Sequence, residues 1–185
     1  RALFAGTTVD NIEGISDTYH VLRSETVYTF TLPIKDLNSI NDALLALQAP
    51  DFFTGTNQYY AEKLDRKIDA KKYQTIGTLP PYLIIQLSRF SYNYDTWERI
   101  KIDAPFEFPI DLDLSDYVSD KNQITQFKLR GVILHSGTAK YGHYVSYVAD
   151  RATGKWRCCN DNLVTDISEK EVLTSSFGRI SNKNA

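Results

Sequence analysis

Apolar and polar residues alternate with a period of two through much of this chain, and the alternating stretches are rich in Thr, Tyr, Val and Ile. Such a period gathers the apolar side chains on one face only when the backbone is extended, so the pattern predicts a sheet protein. Strands are expected over residues 27–34, 83–90, 99–102, 127–135, 143–149, 155–160 and 163–166. Two stretches break the pattern. Ile40, Leu44 and Leu47 follow Asn38 and Ser39 at helical spacing and stop at Pro50. Ser168-Glu169-Lys170-Glu171 reads as a capping box opening a helix that ends near Gly178. Turn chemistry at Pro80-Pro81, Asn93-Tyr94-Asp95, Ser136-Gly137 and Ala152-Thr153-Gly154 joins the segments. The polar stretch 115–126 reads as a surface excursion, and the whole as one domain with a protruding N-terminal part.

A chain of 185 residues can bury about 70% of the surface its unfolded form exposes, so neither metal nor disulfide is needed to hold it shut. Its 21 basic and 23 acidic residues leave a formal charge of −2, without the basic excess that marks nucleic-acid binding. Uncharged apolar runs such as 82–87 fall far short of the roughly 20 residues a membrane helix needs. Neither nucleic acid nor membrane is an expected partner. The two cysteines, Cys158 and Cys159, are adjacent, which disfavours a mutual disulfide and points to a reducing compartment, the cytoplasm or nucleus. The chain has no methionine, which raises the expectation of a further segment upstream of Arg1.

Of the three histidines, His20 lies in a polar stretch and reads as a surface residue. His135 and His143 flank a loop whose glycines, Gly137 and Gly142, let one strand end approach the start of the next. A histidine side chain there can take and return a proton once a second group fixes its tautomer. Asn160 follows His143 after enough chain for a strand, a turn at Gly154 and a returning strand, which brings its carboxamide near the ring. A carbonyl so placed accepts one ring N–H and aims the other nitrogen at a thiol. The same residues also suit a packed or hydrated histidine and an ordinary Asn-Asp-Asn turn, and residue chemistry alone leaves both readings open.

Six motifs change the balance. They are the stretch from Leu79-Pro80-Pro81 through Ser88-Arg89-Phe90, then Phe106-Glu107-Phe108-Pro109, Leu112-Asp113-Leu114, Gly131 through Gly137, Gly142-His143-Tyr144-Val145-Ser146-Tyr147, and Trp156-Arg157-Cys158-Cys159-Asn160-Asp161. Their order and spacing resemble the C-terminal part of a ubiquitin-specific protease (ubiquitin carboxyl-terminal hydrolase) catalytic domain, most strongly over 54–178 and most like the herpesvirus-associated type. The resemblance implies an α+β, papain-like cysteine protease fold. In it a β-rich fingers region and adjoining helix span about residues 1–78, and an antiparallel palm spans about 79–185, with peripheral helices and the thumb absent.

By this resemblance His143 is the general base, Asn160 the third triad member and Asp161 its acidic neighbour. Tyr144 and the loop holding Ser136, Gly137 and Gly142 line the channel for the ubiquitin tail, the loop from Ser91 to Arg99 is the second lid, and Phe90 and Tyr92 are further substrate-binding residues. The implied activity is thiol-dependent hydrolysis after the C-terminal glycine of ubiquitin. The implied partners are ubiquitin, ubiquitylated proteins and the missing thumb segment, with no cofactor. Two departures qualify this. No Gly-Asn-Thr-Cys-type box occurs, so the nucleophile is expected on an N-terminal part outside this sequence, and the chain alone is expected to be inactive; Cys158 and Cys159 read as small buried hydrophobes. The family's two zinc-binding Cys-x-x-Cys pairs read Val9-x-x-Ile12 and Ala61-x-x-Leu64, which offer no zinc ligand, so no metal is expected and a dry apolar cluster is expected instead. A non-catalytic ubiquitin-binding module or pseudoenzyme, and a scaffold without ubiquitin contact, remain as alternatives.

Overall fold

The computed structural model describes residues 3–178. Along the chain run β1 (Gly6–Gly14), β2 (His20–Val27), β3 (Phe30–Leu32), α1 (Ile40–Gln48), β4 (Asp51–Phe53), β5 (Tyr59–Ala61), β6 (Arg66–Ile68), β7 (Ala70–Ile76) and β8 (Ile85–Leu87). They are followed by β9 (Phe90–Asn93), β10 (Glu98–Lys101), β11 (Asp111–Asp113), β12 (Gln126–Lys128), β13 (Gly131–Gly137), β14 (Gly142–Ala149), β15 (Trp156–Asn160), β16 (Leu163–Ile167) and α2 (Glu169–Ser176). These elements fall into two compact units. One comprises the chain up to Leu32 with 41–86 and 113–126, the other 33–40, 87–112 and the chain from Phe127 on.

The first unit carries an antiparallel sheet in the order β2-β1-β7-β4. Neither β1 nor β7 is among the strands that alternation predicts: few of their residues are apolar, and polar pairs join them beside the buried Ile12, Ala70 and Ile76. Lys71 sits opposite Glu13 in a 2.8 Å ion pair, Lys72 reaches Asp10 at 3.0 Å, and the Tyr73 hydroxyl donates to Glu13 at 2.5 Å. The Lys71 ammonium and the Tyr73 hydroxyl hold the Glu13 carboxyl below its ordinary value.

Ile12, Tyr19, Ala61, Ile68 and Ala70 form a dry cluster in this unit, with Val21 and Tyr59 packed against it. Of the four residues expected to stand in for zinc ligands, only Ile12 and Ala61 belong to it. Val9 and Ile12 lie three apart on one extended strand, so they project to opposite faces, and Leu64 ends a short 3-10 turn with its side chain exposed. Phe30, Leu32, Leu44, Ile76, Leu83, Ile85 and Leu114 close around a second apolar centre. The stretch 115–126 is not a free excursion. Val118 is 4% exposed and bridges to Ile76, while Gln123 donates to the Gly77 carbonyl and accepts from the Leu79 N–H. One apolar residue and one amide anchor a segment whose average composition is polar.

The second unit is built on an antiparallel sheet in the order β13-β14-β15-β16. Here the predicted strands 143–149, 155–160 and 163–166 match the observed ones closely. The predicted strand 127–135 divides into β12 and β13 because Leu129 turns its N–H to the Ile110 carbonyl. Tyr147, Ala149, Trp156 and Val172 form the core, joined by Val132, Leu134, Val145, Cys158 and Ile167 from the same sheet face. The expected capping box is present: Ser168 accepts from the Glu171 N–H, and Glu171 accepts from the Ser168 N–H. This sets the start of α2, whose Val172 is fully buried. No helix among the described residues is long and apolar enough to cross a membrane.

Candidate active site

Strand register decides where His143 sits. The β13–β14 ladder sets Ser136 opposite His143 and Gly137 opposite Gly142, leaving residues 138–141 as the loop. The β14–β15 ladder pairs Tyr147 with Cys158 and Ser146 with Cys159; one step further lies Asn160, level with Val145 and diagonal to His143 on the same face. Diagonal neighbours lie within reach of long side chains. His143 Nε2 is 2.5 Å from Asn160 Oδ1. A carboxamide oxygen only accepts, so Nε2 carries the hydrogen and Nδ1 of the neutral ring carries the lone pair. Asp161 Oδ2 stands 3.9 Å from the same Nε2, close enough to pair with an imidazolium. Asp161 opens the two-residue turn into β16 with φ 51°, the left-handed backbone that tight hairpins require at this position. The His143 side chain is 47% exposed and that of Asp161 76%, so the ring is held from one side and open on the other.

The glycines that flank the loop are dictated by close approach. A Cβ on Gly142 would come within 2.2 Å of His135 Nε2 and the Ser136 carbonyl, and Gly137 has φ 115°. The His135 ring packs on Tyr144 at 4.8 Å and on Phe90 at 5.6 Å between centroids. Tyr144 adjoins His143 on β14 and therefore faces the opposite side of the sheet, with His135 and Phe90. Ser136 Oγ contacts the His143 carbonyl at 3.4 Å. On the β9–β10 hairpin Tyr92 packs against Tyr94 and Trp97, and Asn93 Oδ1 accepts from the N–H groups of Asp95 and Thr96, the expected turn. The site residues named from the sequence therefore form two groups, His143 with Asn160 and Asp161, and Phe90 with Tyr144 through His135. His135 as the link between rings carries no signal in the sequence beyond its place at the loop.

Neither cysteine faces the ring. Cys158 packs against the core four strand positions beyond the level of His143, roughly 13 Å along the strand, and Cys159 points to the other face. Both are half-buried rather than fully buried. Among the described residues no cluster of three or more His, Cys, Asp or Glu side chains forms a metal site.

With this geometry in hand, comparison with known proteins defines the class. The profile of the ubiquitin carboxyl-terminal hydrolase family matches residues 8–183, and the chain belongs to that family. It is 30% identical over 179 residues to ubiquitin carboxyl-terminal hydrolase 5 of Schizosaccharomyces pombe, covering 95% of this chain and 16% of that protein. It is 31% identical over 188 residues to ubiquitin carboxyl-terminal hydrolase 9X of Mus musculus, covering 83% of this chain and 7% of that protein. Among solved structures, the SAGA DUB module of Ubp8, Sgf11, Sus1 and Sgf73 bound to monoubiquitin superposes with a TM-score of 0.83 at 27% identity, covering 93% of this chain and 38% of the other. The fold is that of the ubiquitin-specific proteases, antiparallel sheets with few helices in the papain-like α+β manner, and the homologues are deubiquitinating thiol proteases. The chain spans a minor part of each relative.

Proposed function

We propose that this chain supplies the base-bearing half of the active centre of a ubiquitin-specific deubiquitinase, the nucleophilic thiol coming from residues outside these 185. The observation that carries this reading is the 2.5 Å contact of His143 Nε2 with Asn160, which leaves Nδ1 as the base. Nδ1 takes the thiol proton, and the thiolate attacks the carbonyl carbon of the terminal glycine of ubiquitin. As the C–N bond breaks, the imidazolium returns the proton to the departing lysine amine, and the ring then deprotonates the water that hydrolyses the thioester. Asn160 holds the tautomer, and Asp161 offers a countercharge to the imidazolium. Family membership and a structural neighbour bound to monoubiquitin support ubiquitin as the substrate.

In the same proposal the fingers occupy about residues 1–78 and the palm about 79–185. Tyr144, the Ser136–Gly142 loop and the hairpin with Phe90 and Tyr92 flank the ubiquitin tail, and the parent protease is of the herpesvirus-associated type. A thiol enzyme of this kind belongs in the reducing cytoplasm or nucleus. The test is cleavage of a ubiquitin–fluorophore conjugate. The full-length protein cleaves it, His143→Ala abolishes cleavage, and the 185-residue chain alone is inactive. A full-length protein that binds ubiquitin without cleaving it is a recognition module instead, and the catalytic reading fails.

A further inference from the structure

Three polar groups converge on the Lys101 ammonium at the end of β10. Its Nζ donates to the His135 carbonyl at 3.0 Å and to the Gly137 carbonyl at 3.2 Å, and it pairs with Asp103 Oδ1 at 2.8 Å. An ammonium has three N–H donors and no acceptor, so these contacts satisfy it completely. The Lys101 side chain is 10% exposed, whereas Lys71, Lys72, Lys128 and Lys140, which also face carboxylates, are 37–69% exposed. A lysine is rarely so buried unless its charge is matched, and here two of the three partners are backbone.

Those two carbonyls belong to residues two apart on β13, so they point to the same side of that strand, and β13 is the edge of its sheet. Between them lies Ser136, the ladder partner of His143. The lysine therefore joins the β9–β10 hairpin to the free edge of β13 at the end where the imidazole is presented. Two further contacts join the same segments: Phe90 of β9 packs on the His135 ring, and Lys140 in the loop lies 3.8 Å from Glu98 of β10. Arg89 closes the base of the hairpin by donating to the carbonyls of Ile102 and Ala104.

We propose that Lys101 is a positioning residue for His143: it anchors the β13 edge, so that the hairpin, the 138–141 loop and the strand mouth holding the imidazole act as one body. The kinetic consequence rests on the deubiquitinase reading; the clamp itself does not.

Full-length protein with Lys101→Met is compared with the unsubstituted protein and with Lys101→Arg on a ubiquitin–fluorophore conjugate. With Lys101→Met, kcat falls roughly ten- to a hundredfold, a larger change than any rise in KM from the loosened tail-flanking segments, because the misplaced base is lost to the transition state. Lys101→Arg, which keeps a charged set of donors, recovers most of kcat. A folded Lys101→Met protein with unchanged kcat overturns the proposal. A readout independent of activity uses the ring nitrogen shifts of His143 in the 185-residue chain. Lys101→Met moves them from a single Nε2–H tautomer towards a mixture, and unmoved shifts overturn the proposal even if the parent protein cleaves nothing. Should Lys101→Met not fold, the unsubstituted chain suffices. The Lys101 ammonium protons exchange with water far more slowly than those of exposed Lys63, and equally fast exchange removes the clamp.

Discussion

In the proposed mechanism a single hydrogen bond, from His143 to Asn160, makes the imidazole a directed base. Asn160 Oδ1 at 2.5 Å and Asp161 Oδ2 at 3.9 Å both face His143 Nε2, and distance ranks them. In a cleavage assay of the full-length protein, Asn160→Ala is expected to lower kcat by about tenfold or more, since the ring then loses the partner that fixes its basic nitrogen. Asn160→Asp retains an acceptor and most of the rate, and Asp161→Asn has the smallest effect. The reverse order, with Asp161→Asn the more damaging, would assign the orienting role to the carboxylate. Gly142 is constrained just as locally. Gly142→Ala drives a methyl into His135 and the Ser136 carbonyl, and a cost of about 1–3 kcal/mol should appear in urea unfolding.

At the scale of elements, α2 and β14–β16 follow from short-range chemistry, and β1 with β7 do not. The α2 cap uses residues three apart, so its signature is contiguous in sequence. Ser168→Ala removes the acceptor for the Glu171 N–H and should cost about 0.5–2 kcal/mol, read as a lowered melting temperature. The β14–β15–β16 meander likewise brings near neighbours together, which is why the sequence alone pairs His143 with Asn160. The apolar cluster of Ile12, Ala61 and Ile68 was legible only by half, since three-residue spacing suits a metal knuckle but divides an extended strand between two faces. Ile68→Ala in that cluster is expected to cost about 2–5 kcal/mol by denaturant unfolding.

For the molecule as a whole, several carboxylates are held below their ordinary values, each by a different local cause. Lys71 acts on Glu13, the Ser115 N–H on Asp113, the Thr153 N–H on Asp150, and the Ser168 hydroxyl on Glu171. A depressed value in the folded state means that the unfolded chain binds protons first as pH falls. Their contribution is thus complete above the ordinary carboxylate range near pH 4 and is lost as pH drops through the lower folded values. The urea midpoint should hold steady from pH 7 to about 5 and decline below about 4, and Glu13→Gln should reduce that decline. A midpoint that rises on acidification would contradict the assignment. What the sequence determined by itself was the near-neighbour chemistry: helix caps, turn residues, the alternation of the β14–β16 strands, and an imidazole one hairpin away from a carboxamide. Tertiary structure alone decided that polar β1 pairs with polar β7, that His135 lies between Phe90 and Tyr144, and that Lys101 is buried against β13. Those outcomes depend on register between segments distant in the chain, and a charged or polar side chain viewed in sequence carries only its preference for water, not the partner that will replace it.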